Sequence, residues 1–342
     1  MSESDCDSDA VRILTAQSGA NTFMLVVGTL GMWGCATILF TYCVFRDFRY
    51  KGYVLLGCMA AANLVDCFGL TVLGLVRLVQ QFTCVEPSMP RKACLMILAP
   101  YWMGYTASVA FDFVVSVDRI IYLLKPNFYR LKLGVKYTMA MIALASLPAV
   151  CIETPSFFFL TNRTLDERAS VCSECDPTIR TRAHTMADYT NLALVGATSC
   201  MYLALAYQSK RPFLNKATKV VSKTSVPHEL NYHMTRFVLM QRRVLRVSVA
   251  SALSSLLTNG LYLASKLTME SQLSAEDLVK FAPYVSLPLL VNAAGSVFFA
   301  IWRDHVFKKR FLCVMKSCYG LRRHVIRQYH LGLSVTVLDK KL

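Results

Sequence analysis

Residues 94–126 read "CLMILAPYWMGYTASVAFDFVVSVDRIIYLLKP", mostly apolar yet with polar residues at helical spacing. Tyr101, Tyr105, Ser108, Asp112 and Arg119 follow one another at steps of four, three, four and seven, which keeps all five on one stripe of a single helix. Cys94 stands 25 residues before Arg119, about 37 Å at 1.5 Å per residue, more than the roughly 30 Å of a bilayer core. A cysteine therefore sits at one membrane face and the pair Asp118-Arg119 at the other. No soluble core requires that arrangement.

Working outward, the 342-residue chain is 55% hydrophobic with mean hydropathy +0.42, the composition of a membrane protein. Apolar segments of spanning length fall near 21–45, 53–80, 93–124, 137–160, 188–208, 247–265 and 281–302. With the N-terminus outside, the inner loops and tail hold 26 Lys/Arg against 4 Asp/Glu, and the outer pieces 9 against 12. That asymmetry sets N-out and C-in. It also accounts for most of the net charge of +16 without nucleic acid, leaving anionic lipid and an intracellular partner as what the basic face meets. The reading predicts an all-α membrane protein, a seven-helix bundle over 21–302. It is preceded by a short extracellular tail at 1–20 and followed at 303–342 by a short amphipathic eighth helix and a basic cytoplasmic tail. Phe307, Phe311, Leu312 and the lysines beside them give that last helix its two faces.

The 94–126 stretch resembles the third transmembrane helix of rhodopsin-like (class A) G-protein-coupled receptors, in which a disulfide cysteine precedes an Asp-Arg-Tyr motif and a proline follows it. Cys94, Asp118, Arg119 and Pro126 match, with Ile120 in place of the tyrosine. The resemblance implies a receptor that passes an outside signal to a heterotrimeric G protein through Asp118, Arg119 and Pro126. The basic stretch "RFVLMQRRVLRV", with Arg242 and Arg243, is a suitable docking surface for the α-subunit. It also implies a bridge from Cys94 to the second outer loop, where Cys172 and Cys175 are both available, the other being free to meet Cys84. Asp66, which lies mid-span and must face the bundle interior, matches the family's buried sodium-site aspartate. Ser108, Asn292 and Ser296 are its expected neighbours, and no cofactor beyond a sodium ion there is expected.

Departures are as informative as matches. Met32 follows Gly31 where the family has asparagine, and the sixth span, "SALSSLLTNGLYLAS", lacks the Cys-Trp-x-Pro hinge and offers only Asn259-Gly260 as a soft point. Aligning Asn292 and Phe307 leaves Ser296, Val297 and Ala300 where Asn-Pro-x-x-Tyr would stand. No acid near the inner end of the sixth span can hold Arg119, the nearest upstream being Glu229. In the fifth span Tyr202 or Tyr207 is the candidate to meet that arginine. Asp112 occupies a position normally aliphatic, and three roles stay open: pairing with Arg119, a polar network, or proton uptake. Arg77, near an outer end, can snorkel to the interface and needs no function.

No lysine lies between Phe281 and Trp302, so retinal is excluded; Tyr101 stands where amine receptors carry aspartate, so a biogenic amine is excluded too. Tyr101, Trp102 and Tyr105 suit an apolar or peptide ligand, or equally core packing. Asn162 begins the sequon Asn162-Arg163-Thr164 on the outer side. Cys313 and Cys318 are either palmitoylated or free thiols. The six histidines are scattered and form no catalytic or metal-binding constellation, so neither an enzyme nor a metalloprotein is expected. The motif erosion loosely resembles lineage-expanded sets such as nematode serpentine chemoreceptors or virus-encoded receptors. A plasma-membrane receptor leads; a seven-helix scaffold that no longer signals, and a transporter using Asp66, Asp112 and Arg119 as an ion path, are the alternatives.

Overall fold

The computed structural model describes residues 9–45, 51–83, 89–125, 128–129, 134–154, 168–169, 172, 182–209, 253–269, 271–303 and 305–318. Nearly all of them are helical. The elements are α1 (Asp9–Ala16), α2 (Ser18–Val44), α3 (Lys51–Thr83), β1 (Met89–Pro90), α4 (Arg91–Leu124), α5 (Val135–Pro148), β2 (Arg168–Ala169), α6 (Arg182–Ser209), α7 (253–269), α8 (Ala275–Arg303) and α9 (His305–Cys318). The stripe of residues 94–119 lies on α4, which packs against α3, α5 and α6 and so runs through the middle of the bundle.

Polarity is distributed inside out. Leu30, Phe40, Phe68, Met139, Leu203 and Leu257 point outward, while Asn63, Asp66, Asp112, Asp188, Lys266 and Asn292 are buried. In water that pattern would be unstable; in lipid it is required, because hydrocarbon satisfies no polar group. Among the described residues Ser18–Val44, Tyr53–Thr83 and Val135–Ile152 are long and apolar enough to cross a membrane on composition alone. Helices α4, α6 and α8 have the length, but their inward polar residues dilute the hydropathy. Outward hydroxyls are dealt with locally: Thr29, Thr37 and Thr190 each donate to the carbonyl four residues back at 2.6–2.8 Å.

Glycine sets how closely the central helices approach. A Cβ on Gly104 of α4 would collide with the backbone of Asp66, and one on Gly69 of α3 with the backbone of Tyr101. The two helices thus touch backbone to backbone at reciprocal positions, the small-residue packing that favours association where no hydrophobic effect operates. Proline is carried within the spans without breaking them: Pro100 lies within α4, Pro283 and Pro288 within α8, and Pro148 ends α5 where it widens into the π-helical turn Ala149–Glu153. Helix α9 is amphipathic as expected, with Phe307 and Phe311 buried and Lys308 and Lys309 exposed. Phe307 packs edge-on against Tyr42 of α2 at 5.6 Å, and the Arg310 guanidinium lies 4.9 Å from the Phe45 ring centroid.

The outer end adds one element and corrects one expectation. Asp9–Ala16 forms a helix with Leu14 fully buried. Gln17 Nε2 donates to the Lys280 carbonyl at 2.8 Å and Tyr284 Oη to the Ala16 carbonyl at 3.1 Å, joining this segment to α8. Arg77 does not snorkel. It is buried, and its Nε and Nη2 both donate to the Cys172 carbonyl at 3.1 and 2.6 Å, since a carbonyl reached by a two-pronged charged donor outcompetes distant headgroups.

Candidate functional site

The outer half of the bundle is roofed by Cys172, which is bonded to Cys94 across 78 residues with Cα atoms 5.4 Å apart. A bridge closing a loop of that length removes roughly 4 kcal/mol of unfolded-chain entropy. The same residue's carbonyl is held by Arg77, and β1 pairs with β2 alongside, Met89 opposite Ala169. Arg77→Ala should therefore loosen the roof, costing about 1.5–3 kcal/mol for hydrogen bonds from a charged donor. Thermal unfolding of the purified protein, with the disulfide intact, measures it.

Beneath the roof three helices contribute facing side chains. Tyr101 on α4 and Tyr262 on α7 share a hydrogen bond between their hydroxyls at 2.7 Å. Tyr105 stacks with Tyr101, centroids 6.4 Å apart, and meets Tyr262 edge-on at 5.2 Å. On α7, one turn outward, Lys266 forms a buried ion pair with Asp188 of α6 at 3.0 Å, and its ammonium lies 5.5 Å from the Tyr262 ring centroid. Asn191 of α6 donates to Thr106 of α4 at 3.3 Å. His184 belongs to α6 rather than to the preceding loop, is buried, and packs on Trp102 with centroids 4.1 Å apart. Sequence alone singled out Tyr101, Trp102 and Tyr105. Tyr262, Lys266 and Asp188 escaped because Lys266 and Asp188 lay at the margins of their predicted spans, where charges ordinarily mark a helix end.

At mid-depth Ser108 donates to Asn63 Oδ1 at 2.6 Å, so the hydroxyl expected beside Asp66 serves its neighbour one turn away on α3. Asp66 and Asn292 are both buried. Lower on α4, Ser255 of α7 donates a hydrogen bond to Asp112 Oδ2, and Asn259 Nδ2 donates to Ser255 Oγ at 2.7 Å. Of the roles open to Asp112, the geometry realises a polar network with α7 and not a pair with Arg119. Asn259 serves that network through its side chain.

The inner end holds Arg119 and Asp118, both fully buried, with Arg119 Nη2 3.0 Å from Asp118 Oδ2. Tyr129, on the connection after α4, donates to the same Asp118 oxygen at 3.1 Å and stacks edge-on against Tyr122. Burial above all pushes the Tyr129 phenol well above its usual range; the Arg119 charge pulls it down, and Asp118's charge and hydrogen bond push it up again, so it stays a protonated donor at neutral pH. Arg119 is thus held by its own neighbour Asp118, which Tyr129 bonds in turn. Of the two fifth-span tyrosines, Tyr202 faces inward and packs with Leu205 on Ile120 and Leu123, whereas Tyr207 is exposed. Removing the phenol in Tyr129→Phe should raise signalling without ligand, readable as basal second messenger at matched surface expression. The lost bond also costs about 1 kcal/mol.

Cys175, Asn162, Pro126, Arg242, Arg243, Cys84 and Glu229 lie outside the described residues, as do the side chains of Ser296, Val297, Ala300 and Cys318. Cys313 is a free, half-buried thiol on α9.

A central helix tied outside by sulfur and ending inside on a buried Asp-Arg pair, within a bundle of long helices, is the architecture of rhodopsin-like receptors. Squid rhodopsin shares it, with a TM-score of 0.67 over 91% of this chain and 88% of that chain at 12% identity, a likeness of fold. Residues 28–315 match the family described as serpentine type 7TM GPCR chemoreceptor Srsx, and the chain belongs to it. It is thus a multi-pass membrane protein and a G-protein-coupled receptor, which acts on an extracellular ligand and an intracellular G protein. The family is one of receptors rather than enzymes. It falls within the serpentine chemoreceptor set that the motif erosion suggested. None of the curated protein sequences matches the chain.

Proposed function

We propose that this receptor works at the plasma membrane and takes its ligand between the outer halves of α4, α6 and α7, under the loop held by Cys94–Cys172. One observation carries the reading: Tyr101, Tyr262, Lys266 and Asp188 converge there from three helices as direct pairs. A ligand that replaces those pairs frees α7 from α4 at the top. Because α7 also carries Ser255, bonded to Asp112, its shift is felt at the next network down and then at Arg119. The ligand is neither retinal nor a biogenic amine, since residues 281–302 include no lysine and Tyr101 stands where amine receptors carry aspartate.

In this proposal the G protein meets Arg119 once Asp118, itself bonded by Tyr129, releases it, together with Pro126, Arg242 and Arg243 on the inner loops. The basic inner face rests on anionic lipid. Asn162 carries glycan, and Cys313 or Cys318 takes a palmitoyl group. Residues 1–20, 21–302 and 303–342 divide into outer segment, bundle and inner tail. A sodium ion fits Asp66 in kind: a buried carboxylate has a buried serine hydroxyl and the Asn292 amide within the same core, all oxygen donors suited to a hard cation. Asp66, Ser108, Asn292 and Ser296 would hold it, and it would supply charge compensation only.

Reporter cells expressing the intact chain test the reading. G-protein activation should appear in response to an agonist found by screening, or without ligand, and Arg119→Ala should remove it at equal surface expression. Tyr262→Phe should shift the agonist dose–response without changing the basal level as Arg119→Ala does. A signal indifferent to Arg119→Ala would point to the non-signalling scaffold instead.

A further inference from the structure

Among the described residues Asp112 is a carboxylate without a counter-charge. It is 5% exposed, and among the described residues its one hydrogen bond comes from Ser255 and no Lys, Arg or His pairs with it. Arg119, two turns further along α4, is held by Asp118. An ionised carboxylate buried at this depth is expensive unless something neutralises it. Beside it lies a cavity of ≈ 10 Å³ between α4, α6 and α7, lined by Val109, Asp112, Val195, Thr198, Ser199 and Ser255. That is about the room one water-sized guest requires.

The second observation is Thr198. It is 6% exposed, lines this cavity, and its Oγ1 makes no hydrogen bond among the described residues. Helical threonines normally return the hydroxyl to the carbonyl four residues back, as Thr71 and Thr258 do in this chain at 2.7 Å. Ser199 does so too, to Val195 at 2.6 Å, which uses its proton and keeps its lone pairs. The polar side chains lining the cavity are therefore one carboxylate and three hydroxyls, all oxygen.

We propose that this cavity is a binding site for a small monovalent cation, held by Asp112 with Thr198, Ser199 and Ser255 and joining α4 to α6 and α7. A water would satisfy Thr198 but leave the carboxylate's charge standing. A divalent ion such as calcium takes six to eight oxygens, usually from several carboxylates; one carboxylate balances one unit charge. The absence of nitrogen or sulfur from the lining disfavours soft transition metals. The site is separate from Asp66, since α3 contributes none of the lining. Occupied, it neutralises Asp112 while Ser255 still tethers α7, so the cation stabilises the state in which α7 is drawn against α4.

The test uses the purified full-length receptor in nanodiscs, with its unfolding midpoint measured in sodium chloride and in choline chloride at equal ionic strength. The Asp66→Asn receptor removes any ion bound there and should still unfold about 2–4 °C higher in sodium, by an amount growing with sodium concentration. Adding Asp112→Asn should abolish that shift. Adding Thr198→Val, which keeps the side chain's shape and the carboxylate, should shrink it severalfold, so the result does not hinge on whether Asp112→Asn folds. A midpoint independent of sodium in the Asp66→Asn receptor overturns the site. So does a sodium shift that survives both Asp112→Asn and Thr198→Val.

Discussion

Receptor carrying Gly104→Leu should not accumulate as a folded protein, and Gly69→Leu should behave alike. The first β-carbon alone would overlap the backbone of the facing helix, at Asp66 in one case and Tyr101 in the other. Those are main-chain atoms of long helices, so no rotamer change relieves the overlap; α3 and α4 must separate. Overpacking of side chains costs about 1–3 kcal/mol, and separating two spans along their shared seam should exceed that. It would also disturb the Ser108–Asn63 bond one turn from Gly104. Gly196 and Gly260 have nothing within 4 Å of such a carbon, so Gly196→Ala and Gly260→Ala should be tolerated or mildly stabilising, as glycine is a poor helix former. Fluorescence-detected gel filtration of tagged variants would compare the four. Equal monodisperse peaks for Gly104→Leu and Gly196→Ala would show that the α3–α4 contact is not what glycine is there for.

The second large effect concerns Lys266 and Asp188. Both are nearly sealed from solvent, with side-chain exposures of 5% and 8%. Removing one partner of such a pair leaves a charge in a medium that cannot solvate it, a loss of about 3–5 kcal/mol. Lys266→Met and Asp188→Leu should each destabilise the receptor by that order. The double substitution should recover most of the loss, because an apolar pair of similar volume is often as stable as a buried ion pair. Unfolding midpoints for the two single variants and the double one form the cycle. Additive losses would mean that the two charges answer to other partners. Restored stability combined with lost ligand response would separate a recognition role from a structural one.

The parts of this molecule legible in its sequence were those where one helix reports on itself. The spacing from Cys94 to Arg119 lies within α4, so periodicity and length sufficed to place both ends, and the amphipathic run at Phe307–Phe311 announced α9 in the same way. What could not be read were meetings between helices remote in sequence. Ser255 and Asp112 are 143 residues apart and Tyr101 and Tyr262 are 161 apart, and no local pattern encodes either. Arg77 was misjudged for the same reason: near a span's end a guanidinium has both lipid headgroups and loop carbonyls in reach, and only the fold shows that Cys172 is closer. Asp112 was conspicuous as an acid in an apolar span, but its partner could be identified only once α7 was in place.

The N-terminal helix has a bearing on biosynthesis. Gln17 and Ala16 bond to Lys280 and Tyr284, at sequence separations of 263 and 268, so this segment is fastened by a span made long after it. Until that span is inserted, the outer rim stays open and the earliest residues wait undocked.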